Sequence, residues 1–196
     1  MNASFDALVF KNRGLLLAIP ALVLVVFGKP FGASIWYGVA LALAGELVRV
    51  WAVGFSGMTT RGDHVEAPEL VSAGPYAFVR NPLYVGNFIT AVGFAIAFTG
   101  GNDALWRTVL IVLALGVMIA VYAVIVPHEE QFLAGEFGEA FDRYRKSVPP
   151  LLPRLTPAAG GNGVWKPDVI LNAETRTWFF FAIVLVILVV KAAYFH

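Results

Sequence analysis

The sequence lacks cysteine and is poor in charged residues. None of its 196 residues is cysteine, so it has no disulfide framework, no thiolate metal site and no cysteine nucleophile. Only 14% of the residues are charged, whereas soluble domains contain roughly 25%. The 14 basic and 13 acidic residues nearly cancel, unlike the strongly basic balance typical of nucleic-acid-binding proteins. We therefore expect no metal site and no nucleic-acid partner.

Long hydrophobic runs dominate the sequence. Hydrophobic residues make up 59% of the chain, and the mean hydropathy of +0.75 excludes a water-soluble domain. A membrane helix needs about 20 mainly apolar residues, and the runs that fit are residues 8–27, 33–55, 82–99, 104–126 and 178–194. The sequence therefore predicts an all-α, polytopic transmembrane helical bundle of about five spans. In this prediction residues 1–196 form a single integral membrane domain, with an additional C-terminal transmembrane helix at 176–195.

Lysine and arginine are unevenly distributed between the two sets of connections. Ten lie near the N-terminus, between the second and third predicted spans, or before the fifth, whereas Lys29, Arg107 and Lys191 lie on the other side and Arg49 lies within a span. The positive-inside rule places the ten-charge side in the cytoplasm. We expect an integral protein of a bacterial inner membrane, with a cytoplasmic N-terminus and an external C-terminus. The long connections, residues 56–81 and 127–177, then face the cytoplasm.

The second long connection begins with a charged segment that has helical periodicity. Residues 127–146 predict one amphipathic helix that lies on the membrane or on the bundle. Its apolar stripe consists of Phe132, Leu133, Phe137, Phe141 and Tyr144. The prolines and glycines of residues 149–163 exclude a continuous helix from there to the last span.

A helix start at a membrane surface is predicted at Asn81. Asn81 is a favourable N-cap, and Pro82 suits the first helical position. The free N–H groups of such a helix start, beside the guanidinium of Arg80, suit a carboxylate or phosphate. In the alternative interpretation Arg80 is a topology anchor, Asn81 and Pro82 are an ordinary cap, and Gly86 is a helix-packing contact.

Two further groups of polar residues accompany this helix start. His128, Glu129 and Glu130 lie at the end of the fourth predicted span, where carboxylates could accept hydrogen bonds from hydroxyl or amino groups, or form a solvated helix end. Glu46 and Arg49 are three residues apart on one face of the second span. They either neutralise each other or line a polar cavity.

Two segments carry a family resemblance. Residues 70–86 read LVSAGPYAFVRNPLYVG, which resembles the R-[HN]-P-x-Y-x-G signature of the isoprenylcysteine carboxyl methyltransferase family. Residues 129–153 resemble the E-E-x-x-L, F-G, Y-[KR] and V-P elements of that family, in the same order. Phospholipid N-methyltransferases are similar at the N-P-x-Y-x-G and E-E-x-F elements. Asn81 stands where the carboxyl methyltransferases usually have histidine, and Phe141 where they usually have tyrosine.

The resemblance implies an integral membrane methyltransferase with core motifs at residues 70–153. A cytosolic helix and loops would form a pocket for S-adenosylmethionine between the third and fourth spans. Arg80 would receive the methionyl carboxylate, Glu129 and Glu130 the amino, ribose or sulfonium end, and tyrosines would pack on the adenine. The implied cofactor-binding residues are Tyr76, Arg80, Asn81, Pro82, Tyr84, Gly86, His128, Glu129 and Glu130. The implied catalytic residues are Glu129, Glu130, Tyr144 and Arg145.

The expected reaction is methyl transfer to the polar end, by preference a carboxylate, of a lipophilic substrate drawn from the membrane lipids. Such a transfer needs in-line positioning and no covalent nucleophile. A carboxylate acceptor needs no base, whereas an ammonium acceptor must lose a proton, to Glu129, Glu130, His128 or Tyr144. Arg145 or Arg49 could bind an acceptor carboxylate or phosphate. The alternatives are a phosphatidylethanolamine N-methyltransferase and an NADPH-dependent sterol-type reductase, because sterol reductases carry a related N-P-x-Y element.

Overall fold

The computed structural model describes residues 3–57 and 67–194, and within these ranges the fold is all-helical. This confirms the predicted fold class. A 3₁₀ turn, Gly74–Ala77, precedes the fourth helix. The described α-helices are α1 (Ala3–Lys11), α2 (Arg13–Phe27), α3 (Ala33–Ser56), α4 (Pro82–Thr99), α5 (Ala104–Phe137), α6 (Glu139–Ser147) and α7 (Asp168–Tyr194).

Among the described residues, four helices are long and apolar enough to cross a membrane, namely α3, α4, α5 and α7. The first predicted span, residues 8–27, is instead divided between α1 and α2. The side-chain amide of Asn12 donates to the Leu8 carbonyl at 2.8 Å, and the guanidinium of Arg13 donates to the Phe10 carbonyl at 2.8 Å. Such side-chain bonds compete with the helical ladder. At 15 residues, α2 measures about 22 Å, less than a hydrocarbon core of about 30 Å.

Two tight turns meet at one end of the bundle, which we call the turn end (residues 28–30 and 100–102). The Asn102 side chain accepts from the Lys29 amide at 2.8 Å and donates to the Phe27 carbonyl at 3.1 Å. At the same end, Lys191 of α7 donates to the carbonyls of Val25 and Val26. The two helical hairpins and the last helix are thus fastened together here.

Glycines allow α3 and α4 to pack with their backbones in close contact. A Cβ atom on Gly93 would lie 2.4 Å from the Ala42 nitrogen. One on Gly86 would lie 2.7 Å from Cγ of Arg49 and 2.9 Å from the Gly45 carbonyl oxygen. Small residues at such contacts are characteristic of helix pairs in membranes. The structure therefore supports the helix-packing interpretation of Gly86.

The prediction that a new helix begins at Pro127 is wrong. Helix α5 continues through Pro127 to Phe137 over 34 residues, about 51 Å, so it extends well beyond a hydrocarbon core of about 30 Å. The break lies at Gly138, which has φ of +49° and donates its N–H to the Ala134 carbonyl at 3.0 Å. A glycine with positive φ is a common helix terminator, and α6 starts after it.

The apolar stripe packs on the protein through the fold-back at Gly138. Phe141 and Tyr144 of α6 are buried with Val148. Partly buried Leu133 and Phe137 of α5, together with Leu70 and Ala158 from the loops, surround them. Four of the five predicted stripe residues thus belong to one cluster on the bundle.

The proline- and glycine-rich segment forms an ordered strap (residues 148–166) across residues 72–80. The Arg80 amide donates to the Pro149 carbonyl, and the amides of Arg154 and Ala158 donate to the carbonyls of Phe78 and Ala77, each at 2.9 Å. Ser72 and Ala73 donate to the Asn162 carbonyl. The strap fixes the segment that leads into α4.

Candidate active site

The start of α4 is where the sequence predicts it, but its cap differs. Asn81 holds the N-cap position and Pro82 the first helical position, yet the Asn81 side chain makes no capping hydrogen bond. Its amide instead donates to the Pro150 carbonyl at 3.0 Å and to Oε1 of Glu130 at 3.5 Å. The prediction that this side chain caps the helix is therefore wrong, because the strap and α5 offer it acceptors.

Arg80 binds Glu130 through a bidentate ion pair. Its Nε donates to Oε1 at 2.8 Å and its Nη2 donates to Oε2 at 2.9 Å. Its Nη1 donates to the Arg145 carbonyl at 3.0 Å and to the Val148 carbonyl. The side chain of Arg80 is only 10% exposed. Four of the five N–H groups of this guanidinium thus join the end of α5 to the last turn of α6.

Glu129 of α5 is bound by a side chain of α4. The Tyr84 hydroxyl of α4 donates to Oε1 of Glu129 at 2.6 Å, and the Tyr84 ring lies 4.6 Å from the ring of Tyr122. The two adjacent carboxylates therefore meet two residues of one motif, Arg80 and Tyr84. We call this end of the bundle, defined by Arg80, Tyr84, Glu129 and Glu130, the motif end.

His128 faces a different part of the bundle. Its ring lies 5.7 Å from the ring of Phe10 on α1, and Phe10 also carries the guanidinium of Arg13 over its face at 4.0 Å. Residues 128 and 130 are two positions apart on a helix, which separates their directions by about 200°. The structure therefore does not bring His128 to the Arg80–Glu130 pair.

Tyr76 and Tyr144 are linked by a hydrogen bond, because the Tyr144 hydroxyl donates to the Tyr76 carbonyl at 2.8 Å. Burial raises the pKa of the Tyr76 phenol to about 12, although a hydrogen bond with Ser56 opposes this shift. Burial, reinforced by Tyr76, also raises the pKa of Tyr144 well above its usual value. Both phenols are therefore neutral at physiological pH, and Tyr144 acts as a hydrogen-bond donor.

Arg145 lies on the solvent side of α6. Its Nε contacts Oδ1 of Asp142 at 3.0 Å, and both side chains are about half exposed. Its main-chain carbonyl, rather than its guanidinium, belongs to the motif end, where it accepts from Arg80.

A second polar group, the interior cluster (Glu46, Arg49, Asn87 and Glu174), lies deeper in the bundle. Nε of Arg49 lies 3.4 Å from Oε1 of Glu46, which bears out the predicted pairing of these residues. Arg49 also donates to Asn87 of α4 and to both carboxylate oxygens of Glu174 on α7. Our sequence reasoning missed Asn87 and Glu174. Asn87 carries one available signal, a polar residue within an apolar run, whereas Glu174 lies among other polar residues before the last apolar run.

The hydrogen-bond acceptors of the motif end suit a cationic ligand that also carries hydroxyl groups. Each carboxylate offers about four lone-pair sites. The hydrogen bonds described for Glu129 and Glu130 do not exhaust these sites. The Tyr84 hydroxyl contacts Glu129 directly, and the Tyr76 phenol is close enough to Glu129 to interact with it electrostatically. Within residues 3–57 and 67–194, no group of three acidic or histidine side chains is arranged to hold a metal ion.

The helices that build this site define the class, a polytopic helical membrane protein, and comparison with known sequences specifies the family. Residues 33–140, more than half of the chain, match the family model for phospholipid methyltransferases. The chain belongs to this family of integral membrane methyltransferases, as the motifs predict. The matched region covers α3, α4 and α5 and leaves α7 outside.

Three relatives illustrate the similarity. The chain is 30% identical over 136 residues to the nickel-cobalt-cadmium resistance protein NccN of Alcaligenes xylosoxydans xylosoxydans, covering 69% of this chain and 60% of that protein. It is 33% identical over 146 residues to the cobalt-zinc-cadmium resistance protein CzcN of Cupriavidus metallidurans, covering 72% and 59%. It is 39% identical over 87 residues to protein-S-isoprenylcysteine O-methyltransferase of Schizosaccharomyces pombe, covering 43% and 34%. The chain thus spans about three fifths of the first two relatives. No solved structure matches it.

Proposed function

We propose that the protein transfers a methyl group from S-adenosylmethionine to the polar end of a lipophilic molecule that enters from the bilayer. The observation that carries the proposal is the convergence of Arg80 and Tyr84 of one motif on Glu130 and Glu129 of the other. This convergence occurs in a chain of the phospholipid methyltransferase family. The family membership favours methyl transfer over the reductase alternative.

The cofactor would be held by the motif end. Its amino and hydroxyl groups would donate to Glu129 and Glu130, and its adenine would pack on Tyr76 or Tyr84. Arg80 retains one uncommitted N–H for the methionyl carboxylate, so we assign it mainly a positioning role, in which it holds Glu130 in place. When bound, the cofactor supplies an electrophilic methyl group on a sulfonium.

The residues of the chain would position the acceptor in line with that methyl group and exclude water. A carboxylate acceptor requires no proton transfer. An amine acceptor requires a base, and we assign this role to Glu129, because its carboxylate keeps lone pairs beyond the one that the Tyr84 hydroxyl occupies. Tyr144 does not suit this role, because its raised pKa keeps it protonated and its hydroxyl is bound to the Tyr76 carbonyl.

The acceptor we favour is a carboxylate on a lipid-like molecule. The 39% identity to an isoprenylcysteine O-methyltransferase supports this choice, and the aligned 87 residues amount to 43% of the chain. The second candidate is the amine of phosphatidylethanolamine, which the family model favours. Two relatives are named for metal resistance, but the motif end resembles a methyltransferase site and we propose no metal binding.

We further propose that the motif end faces the cytoplasm of a bacterial cell, where the cofactor is made. The arginines and lysines of the described chain support this orientation. Lys29, Arg107 and Lys191 lie at the turn end, whereas the basic residues of the motif end are more numerous. They include Arg80, Arg143, Arg145, Lys146 and Arg154.

Ligand stabilisation in detergent tests the proposal directly. A ligand that binds only the folded protein raises its unfolding temperature. We expect S-adenosylhomocysteine to raise the unfolding temperature of the purified protein and NADPH to leave it unchanged. Stabilisation by NADPH with no response to S-adenosylhomocysteine would overturn the assignment in favour of a reductase.

A further inference from the structure

A carboxylate of helix α7 binds an arginine that lies within the region matched by the family model. Nη2 of Arg49 donates to the two oxygens of Glu174 at 3.0 and 2.9 Å and to the Thr177 hydroxyl at 3.3 Å. The Glu174 side chain is fully buried and that of Arg49 is 6% exposed. The family model ends at residue 140, so this partner comes from outside the matched region.

Arg49 has the surroundings of a carboxylate-binding residue. Its side chain crosses α4 at Gly86, where a Cβ atom would lie 2.7 Å from its Cγ. Asn87 accepts a hydrogen bond from Nη1, and the Glu46 carboxylate lies 3.4 Å from Nε. A guanidinium held in this way presents its remaining N–H groups in the planar arrangement that binds carboxylates. Glu174 occupies the position of a bound acid group.

The interior cluster adjoins the motif end. Asn87 lies one helical turn after Tyr84, whose hydroxyl binds Glu129. Tyr122 lies between them, because its ring contacts Tyr84 at 4.6 Å and its buried hydroxyl makes no hydrogen bond with normal geometry. Polar groups therefore lead from the candidate cofactor site into the membrane-spanning part of the bundle.

Most of α7 faces outward, and its attachment to the bundle is narrow. It packs mainly on α3 and α2, and only 6% of its most apolar stretch is buried. Near the turn end it is held by Leu188, which packs with Ala97 and Phe98. Near the motif end, the polar contacts described join Glu174 and Thr177 to Arg49, and Ile170 and Ala173 are also buried. Movement of this half of α7 would open the interior cluster to lipid.

We infer that Arg49 is the anchor for the acid group of a lipophilic carboxylate acceptor, and that Glu174 is a built-in competitor for it. This inference rests on the proposed function and names its substrate class. The acceptor carboxylate replaces Glu174 on Nη2 of the guanidinium, so this buried nitrogen keeps a charged acceptor in both states. Helix α7 thereby sets the affinity for acidic acceptors.

The test compares Glu174→Gln with the wild type, using N-acetyl-S-farnesylcysteine and its uncharged methyl ester as probes. Glutamine keeps the shape and removes the competing charge. We expect the Kd of the acid to fall by about ten-fold, which corresponds to about 1.4 kcal/mol. The Kd values of the methyl ester and of S-adenosylhomocysteine should stay within two-fold. Thr175→Val, at the exposed neighbouring position of α7, is the matched control.

A second variant guards against misfolding. Glu174→Asp keeps the charge but draws the carboxylate back by one methylene, and it should tighten acid binding to a smaller degree. Equal affinity of wild type and both variants for the acid, or equal tightening for acid and ester, would overturn the inference. The inference would also be overturned if all three proteins bound S-adenosylhomocysteine and none of them bound the acid. Failure of every protein, wild type included, to bind S-adenosylhomocysteine would instead count against the proposed function.

Discussion

Glu130 and Arg80, fifty positions apart in the sequence, are joined by two parallel hydrogen bonds of 2.8 and 2.9 Å. The same guanidinium binds the carbonyls of Arg145 and Val148. One side chain therefore fixes the start of α4, the end of α5 and the last turn of α6 relative to one another. The geometry of the candidate cofactor site depends on this contact.

The first prediction concerns the coupling of this pair. Arg80→Ala or Glu130→Gln should weaken S-adenosylhomocysteine binding by about ten-fold, since a charge-assisted hydrogen bond contributes about 1.5–3 kcal/mol. Because the two side chains act as one unit, the double variant should lose little more than the worse single variant. Calorimetric titration of the four proteins measures the coupling.

Arg143→Ala is the matched control for the arginine. Its side chain is 73% exposed and pairs loosely with Glu139 at 3.4 Å, and exposed pairs contribute little. Cofactor affinity should therefore be unchanged. Strictly additive losses in the double variant would contradict the role of Arg80 as the group that positions Glu130.

A second prediction concerns the contact between α3 and α4 at the signature glycine. Gly86→Ala introduces a Cβ atom 2.7 Å from Cγ of Arg49 and 2.9 Å from the Gly45 carbonyl oxygen. Overpacking of this kind costs about 1–3 kcal/mol, so the unfolding temperature in detergent should fall. Gly116→Ala is the control, since nothing lies within 4 Å of its Cβ position. An equal fall in unfolding temperature in both variants would contradict the prediction that close packing at Gly86 matters.

The sequence predicted the elements better than the contacts between them. Hydrophobic runs located α3 and α4 within about one residue of their ends, because long apolar segments can lie only in a membrane or a core. The division of the first span at Asn12 and the continuation of α5 through Pro127 were not predicted. The first depends on side-chain hydrogen bonds to the backbone at Asn12 and Arg13, which hydropathy does not record. The second shows a proline inside a continuous helix.

In the candidate site, too, the sequence predicted the residues better than the contacts between them. The motifs placed Arg80 and Glu130 in one region, but they suggested separate contacts to a ligand, whereas the structure pairs them. Glu174 is 125 positions from Arg49, and no local pattern connects the two residues. Ion pairs between distant elements follow from tertiary packing, so their partners cannot be identified from spacing along the chain.

The third prediction concerns tyrosine ionisation. Burial raises the pKa of Tyr76 to about 12 and shifts that of Tyr144 in the same direction. The folded protein therefore holds these protons more tightly than the unfolded chain, whose tyrosines titrate near about pH 10. Their contribution to stability is constant below that pH and declines above it. Tyr144→Phe should lose less stability than the wild type between about pH 10 and 11.

The same variant tests whether Tyr144 takes part in proton transfer. Tyr144→Phe should retain the wild-type shape of the rate profile between about pH 6 and 9, since a phenol with a raised pKa does not titrate there. A moderate loss in rate reflects the missing bond to the Tyr76 carbonyl. Disappearance of a titration step in the variant would identify Tyr144 as a base.

The fourth prediction concerns orientation in the membrane. The chain has no cysteine, so single cysteines can report on each end of the bundle. Ala104→Cys lies at the turn end, whereas Leu155→Cys lies on the strap, where the native side chain is fully exposed. An impermeant thiol reagent applied to intact cells should label only position 104. Labelling of position 155 alone would place the motif end outside the cytoplasm.

The final prediction separates the two acceptor classes by the pH dependence of methyl transfer. A carboxylate is already ionised above about pH 5, so transfer to N-acetyl-S-farnesylcysteine should be nearly independent of pH between about 6 and 9. An amine must lose a proton before it attacks, so transfer to phosphatidylethanolamine should accelerate as the pH rises. Radiolabelled methyl transfer to each substrate, in the same detergent and at saturating cofactor, measures both profiles.

The Glu129→Gln variant completes this experiment, because the variant removes the one carboxylate that the Tyr84 hydroxyl binds. If the acceptor is a carboxylate, the rate of the variant stays independent of pH, and the substitution changes mainly the affinity for the cofactor. Under amine chemistry the rate falls at neutral pH and recovers at high pH, where the acceptor loses its proton without assistance. Turnover of phosphatidylethanolamine alone, with the second pattern, would replace the favoured acceptor and leave methyl transfer itself in place.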